Sequence, residues 1–180
     1  MKGLIFVELM NFIELNLGSE GQEEVIMEAR LPNDAAFTNV GNYPSAYAAA
    51  LVAAASARTG MAAHDLCQAF GRFLYTQFEK KFPALMQRYA TARDLLAHVE
   101  HHIHEEVRVI YPDAEPPKVS TREEGSAYYV NYQSHRPFAH IAFGLIEQCI
   151  ACYNENSTVT WCEGSTPSDA TFVIRPHETA

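Results

Sequence analysis

The chain is 180 residues long, the size of one domain, and folding at this length removes roughly two-thirds of the extended chain's surface from water without disulfide staples. Hydrophobic residues make up 48% and charged residues 19%, which excludes a disordered or fibrous chain. The net charge of −9 repels phosphate backbones, so nucleic acid is not an expected partner.

The first 110 positions read as successive helices. The segment Met1 to Met10 is apolar, but Glu8, Asn11 and Glu14 interrupt it at helical spacing and no small-residue cleavage site follows. With no apolar run of about 18 residues, no membrane span is expected, and the chain reads as cytoplasmic. Ile5, Leu9, Phe12, Ile13 and Leu17 form a helical stripe that ends at Gly18, a C-cap. Residues 21–30 form a second short helix, closed by Leu31-Pro32-Asn33-Asp34. A turn over residues 39–45 leads into an alanine-rich helix that ends near Thr59-Gly60. The next helix, Ala63 to Phe78, carries Leu66, Phe70, Phe73 and Leu74 along one side. Gly71 inside it costs about 1 kcal/mol against alanine, a sign that something approaches closely there. A further helix spans about Ala92 to Ile110 and stops at Tyr111-Pro112-Asp113.

After Pro116-Pro117 the pattern changes. Lys118 to Thr121 and Ala127 to Tyr132 alternate as strands, with Arg122 to Ser126 as the turn. Pro137 opens a helix bearing Phe138, Ile141, Leu145, Ile146 and Ile150. Thr158 to Cys162 and Ala170 to Ile174 form a last hairpin around Gly164 to Pro167. Helices followed by strands, a helix and strands make an α+β chain whose antiparallel sheet lies in the C-terminal part. The four cysteines, Cys67, Cys149, Cys152 and Cys162, read as reduced; Cys149-x-x-Cys152 sits in an apolar helical pattern, not at the strand-to-helix turn of a redox motif.

Two groupings carry chemistry. Four of the eight histidines, His98, His101, His102 and His104, fall within seven residues. On a continuous helix with the apolar stripe Leu96, Val99, Ile103, Val107 and Ile110, His98 and His101 face solvent while His102 and His104 flank the stripe. Either of the latter can enter a buried pocket, and periodicity does not choose between them. The pairs His101/His104 and His98/His102 also share faces suited to a surface metal. The second grouping is Tyr132-x-Ser134-x-Arg136. If the strand continues through it, a phenol, an alcohol and a guanidinium point the same way, a donor fork suited to carboxylates.

Taken together, the chain resembles the H-NOX family, the haem nitric oxide/oxygen-binding domains related to the haem domain of soluble guanylate cyclase. The matching residues are Met1-Lys2-Gly3-Leu4-Ile5-Phe6, Ala69-Phe70-Gly71-Arg72-Phe73-Leu74, the run from His104 to Pro112, Pro116-Pro117, and Tyr132 to Arg136. The similarity runs from residue 1 to about residue 175, essentially the whole chain, and residues 1–180 read as a single domain. The resemblance implies a helical distal lobe followed by a proximal lobe with a small antiparallel sheet, with haem b (iron protoporphyrin IX) buried between them. It implies that His104 ligates the haem iron and that Tyr132, Ser134 and Arg136 hold the propionates. It further implies that Ile5 and Pro117 press on the porphyrin, that Gly71 admits close helix approach on the distal side, and that Met1 or Leu9, with Leu74 and neighbouring aliphatics, line the distal pocket.

The departures from the family pattern bear on the gas. Oxygen-binding members carry a distal tyrosine five residues beyond the motif arginine, and here that position is Ile141. Bound dioxygen develops negative charge and needs a donor in a dry pocket, whereas NO and CO do not. Some bacterial members hold a structural zinc with three cysteines and a histidine; only Cys162 coincides with that set, with His140 near another position, so no zinc is expected. The implied function is a sensor of NO and CO that excludes O2, catalyses nothing, and signals when the iron–His104 bond is lost. The expected reader of that signal is a separate protein, a histidine kinase or a cyclic-di-GMP enzyme. The competing reading, a haem enzyme with peroxidase or NO-dioxygenase activity, needs a distal acid–base residue that these aliphatic positions do not supply.

Overall fold

The computed structural model describes residues 1–177. The chain forms two compact units, Met1–Phe70 and Gly71 onward, and the division falls within one helix. In the first unit, α1 (Gly3–Ala29) is broken at Gly18, whose φ of 73° only glycine adopts readily. The expected stripe and the expected second helix are therefore the two halves of α1. Phe6, Leu9, Phe12, Ile13 and Val25 from α1 are buried, as are Ala48, Leu51, Val52 and Ala55 from α2 (Ser45–Thr59). Alanines let two helices approach closely, which accounts for the alanine run without any chemical role. Phe6 stacks on Phe37 at 4.5 Å and meets the edge of Tyr43 at 5.5 Å.

α3 (Ala63–Lys81) runs from the first unit into the second, which continues with α4 (Pro83–Met86) and α5 (Ala92–Ala97). Thr91 caps α5 by accepting from the Asp94 amide at 3.0 Å. The single helix expected over Ala92 to Ile110 is interrupted. A π-helical turn occupies Val99–Ile103, marked by the Ile103 amide donating to the His98 carbonyl five residues back, and α6 follows over His104–Ile110. A π turn holds one extra residue, so side chains beyond it rotate by about 100° from their places on an uninterrupted helix. Ile110, placed on the apolar stripe by straight periodicity, is accordingly 57% exposed.

β1 (Lys118–Glu124), β2 (Ala127–Gln133), β3 (Ser157–Trp161) and β4 (Asp169–Pro176) form one antiparallel sheet in the order β1-β2-β4-β3. The first hairpin is tighter than the sequence pattern predicts: Glu124 pairs with Ala127, and Gly125, with φ at +60°, supplies the sharp turn. Tyr128, Val130 and Tyr132 of β2 alternate onto the buried face. α7 (Ala139–Cys152) packs there through Phe143 and Ile146, with the Phe143 and Phe172 rings 5.6 Å apart. This is an α+β architecture with a small four-stranded sheet.

Candidate functional site

His104 is the first residue of α6, directly after the π turn. Its side chain is 13% exposed, and its Nδ1 lies 3.1 Å from Oε2 of Glu100, one turn earlier. Burial lowers the His104 pKa, and the hydrogen bond and charge of Glu100 only partly restore it, so the ring is neutral near pH 7. Burial alone would raise Glu100, but hydrogen bonds from Arg108, His104 and the Val119 amide outweigh it and hold the carboxyl below the usual range. A neutral ring beside an ionised carboxylate keeps its proton on Nδ1 and leaves the Nε2 lone pair available. Among the described residues, none hydrogen-bonds to Nε2.

The neighbouring histidines are engaged differently. His98 stacks on Tyr89 at 5.3 Å and lies 4.7 Å from His102, with its Nδ1 2.8 Å from the Asp94 carbonyl. His102 is exposed, with Nδ1 3.3 Å from the Tyr89 hydroxyl, and His101 is exposed. Of the two that periodicity left open, the structure shelters His104. Among the described residues, no group of three or more His, Cys, Asp or Glu is placed to hold a metal ion.

Tyr132 is buried in β2, but the strand ends at Gln133, so simple alternation does not carry through to Arg136. The Ser134 amide donates to the Ser168 carbonyl, and the Ser134 hydroxyl accepts the Arg136 amide at 3.1 Å, turning the chain. The three side chains still converge. Burial raises the Tyr132 pKa, opposed by a hydrogen bond with Ser134 and by the charge of Arg136. The Arg136 guanidinium is 14% exposed and reaches outward to Glu115, with Nη1 2.8 Å from its carbonyl and Nη2 3.3 Å from its carboxylate. A sheltered guanidinium that already holds a 70%-exposed carboxylate fits the requirement for a propionate anchor.

The sheet links this fork to the histidine, because Val119, whose amide donates to Glu100, is the register partner of Tyr132. Pro117 directly precedes that strand and is half-buried. Gly71 lies where α3 passes α7: a Cβ there would overlap the Ile141 carbonyl and lie 3.0 Å from the Gly144 Cα. Leu74, one turn along α3, is buried, and Ile141 is half-buried. In the first unit, Leu9 is buried and Ile5 half-buried on α1. Among the polar rings, Tyr43 of the first unit accepts the Thr38 amide, while in the second unit Tyr75 hydrogen-bonds with Cys149 and His140 packs on Trp161 at 4.5 Å.

Sequence reasoning missed Glu100, Arg108 and Glu115. The i,i+4 spacing of Glu100 to His104 was a usable signal for the first, since such pairs share a helix face. No local pattern marked Glu115. An imidazole with Nε2 available can ligate haem iron, and a sheltered donor fork can hold carboxylates such as the haem propionates, so these residues fit haem.

The Haem-NO-binding family model matches residues 2–161. Among solved structures, the Fe(II) unliganded H-NOX protein from K. algicida is 28% identical, with 99% of this chain and 98% of that chain covered and a TM-score of 0.91. The H-NOX from Shewanella woodyi, solved with IWP-051 in the Fe(II)CO ligation state, is 28% identical over 99% and 95% of the two chains, with a TM-score of 0.83. An H-NOX protein from S. oneidensis in the Fe(II)NO ligation state shares the fold at 19% identity, covering 97% and 98%, with a TM-score of 0.87. No curated protein matches the chain. With a family model matching residues 2–161, most of its length, this chain belongs to the Haem-NO-binding, or H-NOX, family of haem-based gas sensors.

Proposed function

We propose that the chain is a haem-based sensor of NO rather than an enzyme, acting as one haem-binding domain in the cytoplasm. His104 ligates the iron of haem b, and Tyr132, Ser134 and Arg136 hold the propionates. Ile5 and Pro117 press on the porphyrin, Gly71 gives close approach on the distal side, and Leu9, Leu74 and Ile141 line that side. When bound, haem supplies the ferrous iron at which NO or CO attaches. Leu9, Leu74 and Ile141 have no hydrogen-bond donor to offer, so the distal residues favour NO and CO and exclude O2. His104 would hold the iron from the first turn of α6, so a ligand such as NO that weakened its hold would free that helix to shift. That helix ends in Val109 and Ile110, 80% and 57% exposed, and its shift is what a partner histidine kinase or cyclic-di-GMP enzyme reads.

The observation that carries this reading is the state of His104: sheltered, neutral, held at Nδ1 and available at Nε2. The absorption spectrum of the ferrous protein tests it. A Soret band that shifts with CO and with NO, and is unaltered by air, is expected. A stable change in air refutes the NO selectivity and leaves haem binding standing; no Soret band after haem addition refutes the whole reading.

A further inference from the structure

Glu100 gathers donors from separate elements onto one carboxylate. Its Oε2 accepts from His104 Nδ1 and from the Val119 amide, each at 3.1 Å, and its Oε1 accepts from Arg108 Nη2 at 3.0 Å. Two of these donors belong to α6 and the third to β1, so the carboxylate ties the histidine to the sheet. The carboxylate is itself sheltered, 23% exposed, so its charge acts on the ring with little screening by water. A neutral carbonyl would satisfy the same Nδ1–H, but a full negative charge does more. It draws the Nδ1 proton and raises the electron density at Nε2.

We infer that Glu100 is a positioning residue for His104, fixing its tautomer and ring plane and making it a stronger iron ligand than a histidine held by a neutral acceptor. Arg108 acts against it: its guanidinium on the other oxygen draws negative charge away from the ring. The strength of the ligand is thus a balance between Glu100 and Arg108, and with it the readiness of His104 to leave. The inference rests on His104 being the haem ligand.

The two residues give opposite expectations, which a merely structural role does not. In the haem-loaded ferrous protein, Glu100→Gln is expected to move the iron–histidine stretching band in the resonance Raman spectrum to lower frequency. It should also raise the midpoint potential and weaken haem binding by about 10–100-fold. Arg108→Ala is expected to move the band to higher frequency and lower the potential. Shifts in the same direction for both variants, or an unmoved band in Glu100→Gln, overturn the inference while leaving His104 as the ligand. If Glu100→Gln does not fold, Arg108→Ala decides by the sign of its shift. In the haem-free chain, ring nitrogen NMR of His104 is expected to place the proton on Nδ1, and a proton on Nε2 overturns the inference directly. Failure of the unmodified chain to take up haem, or an unchanged spectrum in His104→Gly, overturns the ligand reading and this inference with it.

Discussion

Replacing Arg136 with alanine isolates the contribution of the carboxylate fork. A hydrogen bond between charged partners in a sheltered setting contributes about 1.5–3 kcal/mol, and the guanidinium here is 14% exposed. The haem-free chain already uses that guanidinium to hold Glu115, whose carboxylate is 70% exposed. A pair so exposed contributes only about 0.5–1 kcal/mol. Exchanging Glu115 for a propionate therefore gains about 1–2 kcal/mol net, and Arg136→Ala should weaken haem by about 5–30-fold. Haem titration of the purified chain, with the rate of transfer to an acceptor globin as a second measure, reads this directly. The same reasoning gives Glu115→Gln the opposite sign, a gain of about 2–5-fold, because the guanidinium no longer has a competing carboxylate. Unchanged affinity in Arg136→Ala with the circular dichroism spectrum intact would refute the anchoring role. A loss in Glu115→Gln as large as that in Arg136→Ala would refute the competition.

Three further outcomes are expected. His104→Gly should retain haem only while free imidazole is supplied to fill the vacated position, and retention without imidazole would show that another residue ligates the iron. Gly71→Ala gains about 1 kcal/mol of helix propensity, but its Cβ meets backbone that no rotamer change can move, an overpacking cost of about 1–3 kcal/mol. A net loss of up to about 2 kcal/mol should lower the melting temperature by up to about 8 °C, and a rise would refute the close approach. In the haem-free chain His104 and Glu100 both have folded pKa values below their ordinary ones. The unfolded chain therefore takes up protons first, so His104's contribution is complete above about pH 6.5 and falls on acidification, and Glu100's falls below about pH 4.3. The urea midpoint should drop between pH 7.5 and 5, and less so in His104→Asn; equal slopes in the two proteins would contradict the burial of a neutral ring.

The sequence announces most elements through side-chain pattern, because burial has to repeat with the backbone's period. Leu9, Phe12 and Ile13 on α1, and the alternation of Tyr128, Val130 and Tyr132 on β2, are of that kind. The π turn is not, since one extra residue in a helix leaves no compositional mark and yet resets every angle beyond it. That is why Ile110 falls on the wrong side of a stripe that holds from Leu96 through Val99 to Ile103. Tyr132, Ser134 and Arg136 converge by a route that alternation does not foresee, a hydroxyl-to-amide turn just past the strand end. The carboxyl partners are the least legible. Glu100 lies one helical turn from His104 and could have been paired with it, but the Val119 amide that shares its oxygen is 19 residues away, and only the fold brings them together.

β1 is a terminal strand of the sheet, and such strands are where proteins join unwanted neighbours into extended β-structure. Lys118, Arg122, Glu123 and Glu124 place charge along it, with Arg122 lying 3.8 Å over the Tyr129 ring. The Val119 amide points away from the sheet and is capped internally by Glu100, so one outward donor of that border is already closed. The carboxylate that steadies the histidine thus also guards the rim against self-association. Loss of Glu100 would bare an unpaired amide on the rim of every molecule, and concentrated solutions of such a variant should cloud sooner than those of the parent.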